Sequence, residues 1–168
     1  MPMSEIFLAE FDHEMANTRR TLERVPDSKL DWKPHDKSFT FKQLAGHLAN
    51  IPNWAAVTCK EDSFDVSPGG KNVETPEPNT MAELLSMFDE NVRTAREVLA
   101  ATTDDQFAQP WSLLVNGEAL FTMPRSAVLR GMIFNHAIHH RGQLTVYLRL
   151  NDLPVPALYG PSADEQGS

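Results

Sequence analysis

Two histidines four residues apart in a strongly helical segment carry the clearest chemical signal of this chain. His136 and His140 stand in the run Asn-His-Ala-Ile-His-His-Arg-Gly-Gln. Residues at this spacing project from one face of a helix, with Cβ atoms about 6 Å apart, so both imidazoles can bind one divalent metal ion. A third histidine, His47, lies in a second helical pattern far upstream. Three histidines from two helices would leave coordination positions open, as catalytic metal sites do.

The periodicity of the last helical segment predicts that this pair faces the core. At about 100° per residue, His136 and His140 fall near the middle of an apolar face, with His139 at its edge and Arg141 on the opposite, polar side. A histidine on an apolar face is usually a hydrogen-bonded core residue, and spacing alone does not distinguish that role from a metal site. Two neutral, buried imidazoles need partners, however, and a metal ion supplies them. Ala137 stands where a His-Glu-x-x-His protease has its general base, so that pattern is absent.

The composition excludes several kinds of partner. The chain has 168 residues and a formal net charge of −8, which predicts one domain and argues against binding to nucleic acid or to an anionic membrane surface. No apolar run approaches the roughly 20 residues of a membrane span, and the N-terminal pattern is not that of a signal peptide. The single cysteine, Cys59, cannot form an internal disulfide, which predicts a cytoplasmic protein.

Four amphipathic segments predict an all-α, up-down four-helix bundle that forms a single domain over residues 1–168. Each segment repeats apolar residues every three or four positions, and two of them begin with a Thr-x-x-Gln or Thr-x-x-Glu capping box. Bundles of this kind place metal sites in their cores, on facing helices. The segments cover about residues 3–24, a stretch that starts at the Thr40/Gln43 box, a stretch that starts at the Thr80/Glu83 box, and a stretch from Pro124 to about Leu150.

The connecting segments are predicted from their turn residues. Residues 61–79 are rich in proline and glycine and predict a loop. The Asn116-Gly117 pair stands between two apolar runs, which is typical of a small β-hairpin. From about residue 155 to residue 168 we expect an irregular tail with disordered last residues.

Three motifs, in order along nearly the whole chain, resemble the DinB family of DinB/YfiT-like metalloenzymes. They are Leu-Asp-Trp-Lys-Pro at 30–34, Phe-Lys-Gln-Leu-Ala-Gly-His-Leu at 41–48 and Asn-His-Ala-Ile-His-His-Arg-Gly-Gln-Leu at 135–144. The resemblance implies a four-helix bundle whose metal ligands are His47, His136 and His140. It also implies zinc or nickel as the commonest metal, and a homodimer.

The resemblance further implies a metal-dependent thiol S-transferase that joins a low-molecular-weight thiol to a small electrophilic substrate. The general chemistry of an open metal site leaves two alternatives, a metal-dependent hydrolase and a non-catalytic stress protein that binds a metal or a small molecule. No catalytic side chain is assigned, because the reactive group would be a metal-bound water or thiolate. Glu10 and Glu14 could act as general bases, although their pattern is that of surface acids. Arg141 and Gln143 could orient a metal ligand or a substrate, or could form only hydrogen bonds on the helix surface.

Overall fold

The predicted bundle of four helical stretches is confirmed in a computed structural model, which describes residues 1–74 and 78–166. Each of the first two long helices contacts both the third long helix and the last one, so the first two face each other diagonally. The helices are α1 (Met3–Leu22), α2 (Phe41–Lys60), α3 (Met81–Ala101), the short α4 (Asp104–Ala108), α5 (Arg125–Val128) and α6 (His136–Leu150). No helix of the described ranges is long and apolar enough to cross a membrane.

A π-helical segment, Leu129–Asn135, joins α5 to α6 and makes the fourth stretch of the bundle continuous. It places seven residues with π-type hydrogen bonding directly before the first histidine of the pair. Segments of this kind are rare and are frequently found at functional sites. The sequence pattern did not predict it, because apolar periodicity does not distinguish a π-helical turn from an α-helical one.

The helix starts largely follow the predicted capping pattern. At α2, the Thr40 hydroxyl accepts a hydrogen bond from the backbone N–H of Gln43, whose side chain accepts one from the Thr40 N–H, so this capping box is confirmed. At α3, Thr80 accepts from the Glu83 N–H, but the Glu83 carboxylate accepts from Asn79 N instead. The second predicted capping box is therefore only half formed.

A small three-stranded sheet packs at one end of the bundle. The predicted hairpin is confirmed: β2 (Pro110–Val115) and β3 (Glu118–Pro124) are antiparallel and are joined at Asn116 and Gly117, both with positive φ. The prediction of a simple loop over 61–79 is wrong in part, because Ser63–Asp65 forms β1, which pairs with β2 in parallel. Residues 75–77 of that loop lie outside the described residues.

The new strand is held by one carboxylate. Asp65 accepts hydrogen bonds from the backbone N–H groups of Ser67, Asn116 and Gly117. These bonds, that of Ser67 first, lower the pKa of Asp65. The carboxylate thus ties β1 to the turn of the hairpin, a contact across more than 50 residues of sequence that turn propensities do not report.

Residues 155–166 contain no helix or strand, and the predicted disorder of the last residues falls on 167–168, outside the described residues. The tail lies against α1, where Arg20 donates to the Ala157 carbonyl oxygen at 2.6 Å and Arg24 pairs with Glu165. Arg149 of α6 holds the same segment through Asp164. These contacts attach the tail to the bundle.

Candidate metal centre

His47 is positioned by the packing of α2 against the bundle. Its neighbours Leu44 and Leu48 are almost completely buried, which fixes the rotation of the helix and leaves His47 half-buried at the edge of the core. The indole of Trp54, two turns further along the same face, meets the His47 ring edge-on with centroids 5.6 Å apart. Trp54 also lies 5.6 Å from the ring of His136, so one aromatic side chain covers both histidines.

His136 and His140 are held by hydrogen bonds on their Nδ1 atoms. His136 Nδ1 lies 3.2 Å from the carbonyl oxygen of Met132, and His140 Nδ1 lies 2.8 Å from Oε1 of Gln143. Since a carbonyl oxygen only accepts, each ring carries its proton on Nδ1. The Nε2 atoms therefore keep their lone pairs, which is the tautomer that binds a metal ion.

The three predicted histidines come together at one point. One ligand atom from each of His47, His136 and His140 lies within 4.8 Å of the others. The Nε2 atoms of His47 and His136 are 3.1 Å apart, close to the roughly 3.4 Å that separates two nitrogens bound at 2.1 Å in a tetrahedral site. No Asp, Glu or Cys of the described ranges joins the group. The donor set thus fits one divalent ion with an open position.

Burial keeps this cluster uncharged. Desolvation, together with the neighbouring rings of His140 and His136, lowers the pKa of His47 to about 4. Desolvation is also the main cause that lowers the pKa values of His136 and His140. All three imidazoles are accordingly neutral at pH 7, so a metal ion need not displace protons from them.

The other histidines and the cysteine do not belong to the group of ligand atoms, although the His139 ring lies 4.9 Å from the ring of His140. His139 is exposed on the outer side of α6, and His13 and His35 are exposed elsewhere. Cys59 lies near the end of α2, where burial raises the pKa of its thiol. Gln143 accepts the hydrogen bond of His140 Nδ1 and so orients the ring of a predicted metal ligand, which was one of the two interpretations of this residue.

Arg141 overturns the prediction of a polar side opposite the histidines. Its side chain is about 1% exposed, and it lies on α6 between Ala137, Leu144 and Leu148, all of them fully buried. The buried face of α6 is therefore centred on Arg141, with the histidines at its edge. The error came from placing the centre of the apolar face on the histidines themselves.

Glu14 is likewise not the surface acid that its pattern suggested. It is about 5% exposed, and its carboxylate accepts hydrogen bonds from Arg141 at 2.5 Å and from the Tyr159 hydroxyl at 2.7 Å. Arg141 also donates to the Glu14 carbonyl oxygen and to Thr18 Oγ1. Both candidate bases are occupied, since Glu10 pairs with Arg130. Neither Glu10 nor Glu14 belongs to the histidine cluster.

A helical bundle that brings three neutral histidines together from two helices is an arrangement typical of bundle metalloproteins. The family model of the DinB superfamily matches residues 10–144, and the chain belongs to that superfamily. The chain is 24% identical over 159 residues to the uncharacterized protein YrdA of Bacillus subtilis (strain 168), a match that covers 95% of this chain and 89% of YrdA.

Solved structures agree with this assignment. A DinB-like protein from Bacillus cereus ATCC 10987 superposes with a TM-score of 0.72 at 26% identity, over 94% of this chain and 98% of the other. YfiT from Bacillus subtilis, described as a probable metal-dependent hydrolase with an unusual four-helix bundle topology, gives a TM-score of 0.63 at 18% identity, over 90% and 89% of the two chains. The likeness to YfiT is one of fold alone.

Proposed function

We propose that this chain binds one divalent metal ion through Nε2 of His47, His136 and His140, and that it is a metal-dependent enzyme acting on small molecules. The observation that carries the proposal is the set of three neutral imidazoles, whose ligand atoms lie within 4.8 Å of one another and which no fourth ligand from residues 1–74 and 78–166 joins. Structural zinc sites normally have four protein ligands, so the open position favours a catalytic site. Zinc and nickel both suit imidazole ligands.

The reaction that we propose is the transfer of a low-molecular-weight thiol to an electrophilic carbon. The sulfur lone pair forms the new C–S bond, the leaving group departs with the electrons of the bond that breaks, and the thiol proton passes to solvent. A bound divalent ion would supply the positive charge that favours thiolate over thiol at neutral pH. The histidine cluster contains no carboxylate among the described residues, and a thiolate needs no general base once it has formed.

The protein side chains would act by orientation and by exclusion of water. Gln143 and the Met132 carbonyl oxygen fix the two rings of the last helix, while Trp54 covers His47 and His136 on one side. Because the rings cannot rotate freely, the position of the nucleophile relative to the substrate is constrained, which lowers the entropic part of the barrier. None of these residues needs to exchange a proton with the substrate.

The test is a comparison of thiols and metals on purified protein. Glutathione, cysteine, bacillithiol and mycothiol are each offered with 1-chloro-2,4-dinitrobenzene, using zinc- or nickel-loaded protein and the His140→Ala variant. We expect chloride release above the uncatalysed rate of the thiol with this arene only when thiol, metal and all three histidines are present. The absence of any rate above that of His140→Ala, at full metal loading, contradicts the transferase proposal.

Hydrolysis is a second candidate, favoured by the fold that this chain shares with YfiT. In that case p-nitrophenyl acetate is cleaved by the metal-loaded protein without a thiol. If neither reaction depends on the metal although the metal binds, the non-catalytic metal- or ligand-binding function is the one supported. The homodimer implied by the resemblance stays a prediction, which light scattering of the purified protein can test.

A further inference from the structure

A cavity of about 480 Å³ opens next to the histidine cluster. It lies between α2, α3, the π-helical segment and the sheet, and its volume is within the 300–1,000 Å³ that is common for small-molecule sites. Most of its wall is apolar or aromatic. The wall includes Trp54, Met87, Trp111, Leu113 and Met132.

The cavity is a continuation of the metal centre along two neighbouring helices. On α2, Asn50 and Trp54 follow His47 by three and seven residues, which places them on the same helix face. On the last helical stretch, Met132 lies four residues before His136 and accepts the hydrogen bond of its ring. Trp54 and Met132 thus border both the histidines and the cavity. A molecule in the cavity would have one end beside the histidines.

The wall is selective for uncharged molecules. Glu74, which is exposed, is the only charged side chain among the described residues of the lining. The polar groups are mainly asparagine amides, and that of Asn91 is fixed by donation to the Ala49 carbonyl oxygen at 2.9 Å. A carboxylate or phosphate in the apolar part of this cavity would lose its hydration without gaining a cation, which is costly.

One donor in the wall lacks a partner. Trp111 is about 4% exposed, and within the described part of the chain its buried indole Nε1 has no hydrogen-bond acceptor. Buried indole N–H groups usually find an acceptor, because leaving one unpaired is unfavourable. Met87 and Met132 belong to the same wall, and methionine side chains repack easily to admit a ligand atom.

We propose that this cavity binds the apolar, uncharged body of the substrate, and that the Trp111 N–H donates a hydrogen bond to a carbonyl or ether oxygen on it. The position of the reactive end beside the histidines rests on the function proposed above. The selectivity of the cavity does not, because it depends on side chains that would not touch the metal. Binding can therefore be tested separately from metal uptake and from catalysis.

The experiment compares three naphthalenes of similar shape by equilibrium dialysis against the purified full chain, with and without zinc. The probes are 2-acetylnaphthalene, 2-ethylnaphthalene and 2-naphthoate. We expect the ketone to bind about fivefold more tightly than the hydrocarbon, which is the effect of one hydrogen bond, and the carboxylate at least tenfold more weakly in the metal-free protein. In Trp111→Phe the difference between ketone and hydrocarbon should disappear.

Two variants that fill the cavity locate the site. Leu113→Trp, from the sheet, and Met87→Trp, from α3, should each weaken binding of the ketone by about tenfold or more while circular dichroism stays native. Leu120→Trp adds the same bulk on an exposed position of β3 and is the matched control. Equal binding by all three variants, or equal binding of ketone and carboxylate to the metal-free protein, overturns the inference.

Metal analysis of the same samples separates the two proposals. If the protein binds zinc but none of the naphthalenes, the cavity inference fails and the metal centre stands. If it binds the ketone through Trp111 but never holds a metal ion, the cavity inference stands and the proposed function fails.

Discussion

His140 and Arg141 are neighbours on one helix, yet their polar groups lie in opposite situations. The Arg141 guanidinium is buried and meets Glu14, Thr18 and Tyr159, all within the protein. His140 is only half-buried, and its one side-chain hydrogen bond, to Gln143, leaves Nε2 directed to the cluster with His47 and His136. The polar groups around Arg141 are paired with one another, whereas the Nε2 atoms of the histidine cluster converge where a metal ion can bind.

This difference separates a structural polar network from a functional one. Removal of one partner from a buried, fully paired charge destabilises the folded state, because the other charge is left buried and unpaired. The histidine cluster differs, because the Nε2 lone pairs of His136 and His140 are not used by the hydrogen bonds on Nδ1 and stay available to bind a metal ion. We therefore expect variants of the Arg141 network to change stability with little effect on metal binding, and variants of the histidine cluster to do the reverse.

The largest effect is expected for Arg141→Ala. The variant leaves the Glu14 carboxylate buried without its cation, so the free energy of unfolding should fall by about 3–5 kcal/mol. Urea unfolding of the metal-free protein measures it. Arg149→Ala, which breaks the exposed pair with Asp164, is the control and should cost less than about 1 kcal/mol. A loss below about 1 kcal/mol for Arg141→Ala would show that this network does not stabilise the fold.

Gln143→Leu should affect the metal and not the fold. Without the oxygen that accepts from Nδ1, the His140 ring loses its fixed orientation and tautomer, and affinity for zinc should fall by about 10- to 100-fold. Since Gln143 is exposed, the free energy of unfolding of the metal-free protein should change by less than about 0.5 kcal/mol. Competition with a chromogenic chelator gives the affinity. An unchanged affinity would remove Gln143 from the site.

Tyr159→Phe tests the other side of the comparison with a smaller change. It deletes only the hydroxyl that donates to Glu14 and accepts from Arg141, so about 1–2 kcal/mol of stability should be lost. The ring of Tyr159 is about 64% exposed, but loss of hydration at its hydroxyl and the bond to Glu14 raise the pKa of this phenol to about 12, so it stays protonated and keeps donating up to strongly alkaline pH. Zinc stoichiometry should stay at the wild-type value, and a parallel loss of zinc would mean that the two networks are coupled.

The smallest effect concerns pH. The pKa of His47 is about 4 in the folded chain against an ordinary 6.5, so the unfolded state takes up a proton first as pH falls. The contribution of neutral His47 to the free energy of unfolding is therefore fully present above about pH 6.5 and is lost as the pH falls from 6.5 to 4. We expect the urea midpoint of the metal-free protein to fall less over this range in His47→Gln than in wild type. His35→Gln, at an exposed position, should follow the wild type.

The sequence predicted those features that depend on local spacing. The four helical stretches, the Thr40 capping box, the hairpin at Asn116-Gly117 and the pairing of His136 with His140 all follow from residues within one or two turns of each other. His47 was included because it stands in a second helical pattern, and the resemblance of its motif to that of a family, to which the chain belongs, strengthened this prediction. Patterns of this kind can be recognised without knowing which distant residues the helix or hairpin contacts in the fold.

The features that the sequence did not predict depend on distant contacts. β1 pairs with a strand almost 50 residues away, and Glu14 meets Arg141 across more than 120 residues. Such pairs have no periodic signature, and each partner alone has the appearance of an ordinary surface residue. The burial of Arg141 could have been noticed, since it continues the four- and three-residue spacing of Ala137, Leu144 and Leu148.

Metal content is the most direct test of the central claim, that His47, His136 and His140 form an open metal site. Wild type, His140→Ala and the matched neighbour His139→Ala are loaded with zinc, dialysed against buffer and analysed for the element. We expect about one ion per chain in wild type and in His139→Ala, and almost none in His140→Ala, because two imidazoles rarely hold a metal ion against buffer. Retention by His140→Ala with loss from His139→Ala, or a wild type that stays empty, would contradict the account.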